Sequence, residues 1–150
     1  SLWVYSETRL REVGLNNISH VQCGTNHALA LSDSGEIYSF GKNQFGQLGR
    51  DTEKFSNSFE KIEFDREVRD ISCGKNFSIV LLYSGEVYGC GDNSSGQIGL
   101  ASMQKFNNSL SKIKGLKNIQ QIACHSSFTL AVDSKSNLLV FGYVSHLEEA

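Results

Sequence analysis

The sequence predicts an all-β chain made of about three four-stranded β-propeller blades, an incomplete ring. Three observations carry this reading. One set of residues recurs three times at a period of roughly 50. Within each copy the apolar side chains alternate in twos, the signature of strands. Helical periodicity is sustained nowhere along the 150 residues.

The first block of each copy aligns without gaps. Val21 to Leu31 (VQCGTNHALAL) matches Ile71 to Leu81 (ISCGKNFSIVL) and Ile122 to Val132 (IACHSSFTLAV). Cys23, Cys73 and Cys124 therefore fall 50 and then 51 residues apart. The stretches from His27, Phe77 and Phe128 alternate large with small apolar residues and carry no strongly polar face, so both faces are expected to be buried. A second block, Gly35 to Gly41 (GEIYSFG), matches Gly85 to Gly91 (GEVYGCG) and survives as Leu138 to Gly142 (LLVFG). A third, Gly46-Gln47-Leu48-Gly49, recurs as Gly96-Gln97-Ile98-Gly99 and is absent from the last copy.

The Ser34-Gly35 and Ser84-Gly85 pairs supply the left-handed backbone of a tight turn, making each pair of blocks a hairpin. Two further strands precede each hairpin: Arg9 to Val13 with Ile18 to Cys23, Phe59 to Phe64 with Val68 to Cys73, and Leu110 to Ile113 with Asn118 to Cys124. Four short strands per repeat of this length describe propeller blades. The repeats are placed at about 6–57, 58–108 and 109–150, all within one partial propeller spanning 1–150. Residues 1–5 are expected to be a strand of a preceding blade, because Leu2-Trp3-Val4-Tyr5 resembles Leu139-Val140-Phe141. The start lacks Met and lacks a signal-peptide pattern, and reads as a cut within a longer protein.

These blocks resemble the repeat family named for the regulator of chromosome condensation. Cys23 to Leu31, Ser34 to Gly41 and Asn43 to Gly49 carry the resemblance, and the second copy repeats all three. The resemblance implies a propeller usually closed by seven blades, with a strand from one terminus completing the sheet of the other. Some positions depart from the pattern. The chain has no Pro, Phe77 and Phe128 stand where His27 keeps the family residue, and Phe40 and Cys90 stand where the family tends to carry Trp. His125 replaces the glycine of Gly24 and Gly74. Three blades cannot close a ring, and open blade faces would expose apolar surface and strand edges. The remaining blades are expected from the same or another chain.

The net charge of −2, from 14 basic and 16 acidic residues, gives no broad phosphate-binding footprint, so nucleic acid is not an expected partner. Lys112, Lys114 and Lys117 form one modest basic cluster, read as a solvated edge. No apolar run has the length of a membrane-spanning helix, and no membrane association is expected. Four N-x-Ser sequons begin at Asn17, Asn76, Asn93 and Asn107; without a secretion signal they are read as chance matches. Four cysteines, three at equivalent repeat positions, are read as buried thiols rather than a disulfide framework. A reducing intracellular location, cytoplasmic or nuclear, follows.

Chemical signals are weak. Cys23, Cys73, Cys124, His27 and His125 lack the short paired spacing of zinc sites, and neighbouring blades are expected to hold the thiols well apart. Cys90 occupies the strand position of Phe40 and Phe141, which argues against a nucleophile. Gly89 to Gly96 fits no phosphate-loop pattern and opens no helix. No catalytic residue, cofactor or metal is expected. The long connections Lys42 to Ser58 and Asp92 to Ser109 are the candidate surface, since binding residues concentrate on loops held by rigid scaffolds. Gln44, Phe45, Arg50, Lys54, Phe55, Met103, Lys105 and Phe106 are its expected exposed residues. The expected function is a non-catalytic protein–protein interaction scaffold or adaptor within a larger assembly. Guanine nucleotide exchange on a small GTPase, the activity of the family's founding member, is the alternative. No acidic or wedge-like insertion suited to exchange is present in this stretch.

Overall fold

The computed structural model describes residues 13–101 and 104–144, all of it strand, turn and connection. Among these residues eleven strands run β1 Ile18–Cys23, β2 His27–Ser32, β3 Ile37–Lys42, β4 Phe55–Ile62, β5 Val68–Cys73, β6 Phe77–Leu82, β7 Val87–Asp92, β8 Phe106–Lys112, β9 Ile119–His125, β10 Phe128–Asp133 and β11 Leu138–Gly142. They form antiparallel sheets in the orders β1-β2-β3-β4, β5-β6-β7-β8 and β9-β10-β11. Sheets of four, four and three strands with sequential neighbours are propeller blades.

The inner strands touch one another from sheet to sheet. The Cys124 backbone N–H donates to Ser72 Oγ at 2.9 Å, and Cys73 Sγ donates to the Gln22 carbonyl at 3.7 Å. The turns at their ends are tied in the same sense: Thr25 N–H donates to the Lys75 carbonyl (3.3 Å), and Lys75 N–H to that of Ser126 (2.9 Å).

Two apolar layers fill the joints. Leu29, Leu31 and Ile37 of the first sheet meet Ile71, Val80 and Leu82 of the second. Phe77, Ile79 and Leu81, on the opposite side of β6, meet Ile119, Ile122 and Ala131 of the third. Every residue of β6 is buried, the two-faced burial expected of these strands, because a sheet lies on each side of it. Among the described residues β10 has a neighbouring sheet on one side only, and its first four residues alternate between half-buried and buried.

Two backbone features explain the repeated turn residues. Gly41, Gly91 and Gly142 all have left-handed φ, of 107°, 106° and 100°. A Cβ there would fall 2.4–2.5 Å from the carbonyls of Asn26, Asn76 and Ser127. Only glycine fits such an approach. In the hairpin turn of the third sheet, Ser136 adopts φ 67° where Gly35 and Gly85 stand in the others. Asp133 Oδ1 supports that turn by accepting the N–H groups of Lys135 and Asn137, both at 2.9 Å.

Two strand assignments change. The strands expected at Phe59 to Phe64 and Leu110 to Ile113, as openings of the second and third copies, are the outer strands of the sheets before them. The sequence period cannot assign such a strand, because it says where a strand recurs and not which edge it pairs with. Both strands also begin earlier, at Phe55 and Phe106, so the long connections shorten to 43–54 and 93–105. The expected strands at Leu2 to Tyr5 and Arg9 to Val13 lie outside the described residues, apart from Val13, which is not in a strand.

Candidate functional site

The two long connections emerge from the same end of adjacent sheets, and one hydrogen-bond plan holds both. Asn43 Oδ1 accepts the Leu48 N–H at 3.0 Å, and Gln47 Oε1 accepts that of Phe45 at 2.9 Å. Asn93 and Gln97 repeat these bonds with Ile98 and Ser95, at 3.4 and 2.8 Å. Leu48 and Ile98 are fully buried and plug each connection into its blade. The recurring Asn-x-x-Gly-Gln pattern is therefore an internal brace.

That brace fixes the residues after it. Asn43 N–H donates to the Lys54 carbonyl (2.8 Å) and Asn93 N–H to that of Lys105 (2.7 Å). Each Lys is followed by the first residue of an outer strand, Phe55 opposite Lys42 and Phe106 opposite Asp92. Both phenylalanines are 51% exposed, and Lys54 and Lys105 are exposed. A third aromatic lies at the same end. Tyr143, 56% exposed, occupies the position of Lys42 and Asp92, and its N–H donates to the Ser127 carbonyl (2.9 Å) as theirs do to Asn26 and Asn76.

The expected residues are not all alike. Gln44 is exposed and Phe45 half-buried. Arg50 is not a free contact residue. Its side chain is 10% exposed, donates Nε to Ser39 Oγ (2.9 Å), and pairs with Glu60 (2.9 Å). The guanidinium fork has found its partners within its own blade. Met103 lies outside the described residues. Tyr143 was missed from sequence because its column carries Lys42 and Asp92 in the other copies.

The opposite end carries a second concavity. Recesses of about 470 and 430 Å³ flank the 63–67 connection between the first two sheets. Tyr83, 68% exposed, lines both. It stands where Asp33 and Ser134 stand in the other copies, and that break in the repeat is a legible signal that the sequence reading passed over.

The thiols are placed differently from expectation. Cys23, Cys73 and Cys124 are not held well apart but line one recess of about 370 Å³ at the inner strand ends, together with Lys75 and His125. Neighbouring inner strands approach so closely that equivalent residues share a wall. Among the described residues no three His, Cys, Asp or Glu side chains come together as a metal set. Burial pushes the Cys90 thiol up to about 12 and that of Cys124 to about 11, so neither supplies a thiolate near neutral pH. Cys23 is exposed rather than buried. Asn93, one of the sequon asparagines, is 7% exposed and donates its amide to the carbonyls of Leu100 and Gln104, so it cannot carry a glycan in the folded chain.

Comparison with known proteins places this architecture. The chain is 57% identical over 30 residues to the Protein RCC2 homolog of Xenopus laevis, covering 20% of this chain and 6% of that protein. It superposes on human WBSCR16 with TM-score 0.81 and 23% identity, covering 89% of this chain and 35% of that one. Prp20p of Saccharomyces cerevisiae gives TM-score 0.77 and 21% identity over 87% of this chain and 34% of that one. The chain thus spans about a third of these structures' length and far less of the relative's. A profile of the regulator of chromosome condensation (RCC1) repeat matches residues 34–81 and 84–132, and a second profile of the same repeat matches 18–47 and 68–97. With both blocks, the brace and the blade geometry accounted for, the chain belongs to the RCC1 repeat family of β-propellers.

Proposed function

We propose that this chain is a non-catalytic protein–protein interaction module, three blades of a larger propeller spanning residues 1–150, and that the end bearing Phe55, Phe106 and Tyr143 receives the partner. The observation that carries the reading is the repeated Lys-Phe pair, Lys54-Phe55 and Lys105-Phe106. Its backbone is pinned by the Asn43 and Asn93 bonds, yet half of each ring remains in water. Rigid, exposed aromatics lose little conformational entropy on binding and bury much area, which is why such residues anchor interfaces. Gln44, Phe45 and Arg50 belong to the first connection in sequence and Met103 and Lys105 to the second; Arg50 is held within its own blade by Ser39 and Glu60. The remaining blades come from the same or another chain. The buried thiols fit a reducing intracellular setting.

Guanine nucleotide exchange is the second reading. The Prp20p structure was described together with that protein's binding to Gsp1p and histones. At 21% identity this likeness supports the fold, and it makes a small GTPase the first protein class to test as partner.

The experiment is affinity capture with the full-length protein and a Phe55→Ala/Phe106→Ala variant, read by mass spectrometry. A partner enriched by the wild type and lost by the variant is the expected result. Identical partners for both proteins would remove these residues from the site. A small GTPase captured only without nucleotide would make exchange the leading reading.

A further inference from the structure

We propose that the joint between the first and second sheets is proton-sensitive: uptake of a second proton by the buried His27 imidazole opens it, while the joint between the second and third sheets stays closed.

His27 begins β2 and is 4% exposed. Its ring lies over the β1–β2 turn so closely that a Cβ on Gly24 would sit 2.2 Å from His27 Cε1. Nε2 lies 3.0 Å from Ser78 Oγ, across the joint. The single hydroxyl hydrogen of Ser78 goes to the Gln47 carbonyl at 2.8 Å. Ser78 can therefore only accept from His27, which places the imidazole hydrogen on Nε2 and leaves Nδ1 a bare acceptor. Among the described residues, Nδ1 of His27 is the buried side-chain nitrogen or oxygen without a hydrogen-bond partner.

A second proton would have to go on Nδ1. Among the described residues no carboxylate bonds or ion-pairs with the ring to compensate it. The titratable groups that reach the Ser78–Gln47 relay are two thiols, Cys73 of β5, 4.0 Å from Ser78 Oγ, and Cys90 of β7, 3.7 Å from the Gln47 carbonyl. Of the other titratable side chains on those strands, Asp70 accepts the Ile71 N–H and Asp92 the Ser94 N–H, and neither they nor Arg69 and Tyr88 hydrogen-bond the ring. Burial holds both protonated, so neither offers a negative charge. Desolvation accordingly lowers the His27 pKa to about 4, against a weaker upward pull from the Phe77 backbone. The imidazolium is accommodated by leaving the joint for water. At the next joint Phe77 occupies the position of His27, and Thr129 Oγ1 donates to the Gln97 carbonyl at 2.8 Å with no imidazole involved.

The test uses the ¹⁵N-labelled chain and His27→Phe, with imidazole nitrogen shifts and amide protection factors recorded at about pH 7 and about pH 4.5. The wild type should show His27 in the Nε2–H form at neutral pH. On acidification, amides of β1, β2 and the 43–49 connection should lose protection on the order of 100-fold, and those of β6, β9 and β10 should not. His27→Phe should keep its protection. Titration of His27 at its ordinary value of 6.5 with protection intact would overturn the proposal, as would equal acid loss in His27→Phe. If the Phe variant does not fold, His27→Gln, whose amide can still donate to Ser78, serves the same comparison.

Discussion

The two joints between neighbouring sheets use the same chain positions for different chemistry. At the first joint, His27, Ser78 and the Gln47 carbonyl form a polar relay of 3.0 and 2.8 Å. At the second, Phe77 packs apolar and fully buried, and Thr129 alone reaches the Gln97 carbonyl. The first joint also carries an edge-on contact between Phe64 and Tyr88, with ring centroids 5.1 Å apart. The shared part is the hydroxyl-to-carbonyl bond, which ties each middle strand to the connection of the blade before it. The difference is whether the adjoining ring can change charge. A blade repeat can thus keep its fastening while varying the joint's response to conditions.

Four sets of changes would break or sharpen that contrast. The largest effect is expected for Phe77→Ala, which empties the centre of the second joint and should cost about 3–5 kcal/mol in urea denaturation, as cavities of this kind do. A loss below 1 kcal/mol would mean the joint collapses around the gap. Next comes acidification of the wild type. The folded His27 pKa lies below its unfolded value, so between the two the unfolded chain binds more protons. Stability is then present above about pH 6.5, falls as pH drops toward 4, and gains no further loss from this group below it. The gap corresponds to about 3 kcal/mol, and the difference between wild-type and His27→Phe denaturation curves isolates it.

Third, Ser78→Ala strands the His27 N–H and leaves the Gln47 carbonyl only the weak Cys90 thiol at 3.7 Å, and should cost about 2–3 kcal/mol. Thr129→Val strands one carbonyl, at about 1 kcal/mol. Equal costs would show that the imidazole contributes nothing to the first joint. The smallest effect belongs to the exposed pairs on the opposite end, Glu36 with Lys61 and Glu86 with Lys112. Glu36→Gln and Glu86→Gln should leave the thermal midpoint within replicate scatter, because solvent screens both.

Much of the fold was legible in the residues. β1 and β5 lie where alternation and the Cys period placed them, and β6 is buried on both faces as its lack of a polar side implied. The outer strands were legible as strands but not as members of a sheet. Phe55–Ile62 pairs back onto β3 through a connection whose brace, Asn43 to Leu48 and Gln47 to Phe45, is invisible to periodicity. The candidate site divides the same way. Phe55 and Phe106 correspond by simple alignment, but their exposure, and the confinement of Arg50 by Ser39 and Glu60, depend on where the outer strand falls.

The sequence by itself determined the all-β class, the three-fold repetition and the glycines at Gly41, Gly91 and Gly142. Each follows from local sterics or from a pattern carried along the chain. Tertiary structure alone decided which sheet owns each outer strand, that three thiols share one recess, and that His27 is sealed with an empty acceptor. The outer-strand pairing spans about 13 to 25 residues within a blade, and the thiol recess and the His27 site join residues about 50 apart, where hydrogen bonding and desolvation are set by the neighbouring blade rather than by the neighbouring residue.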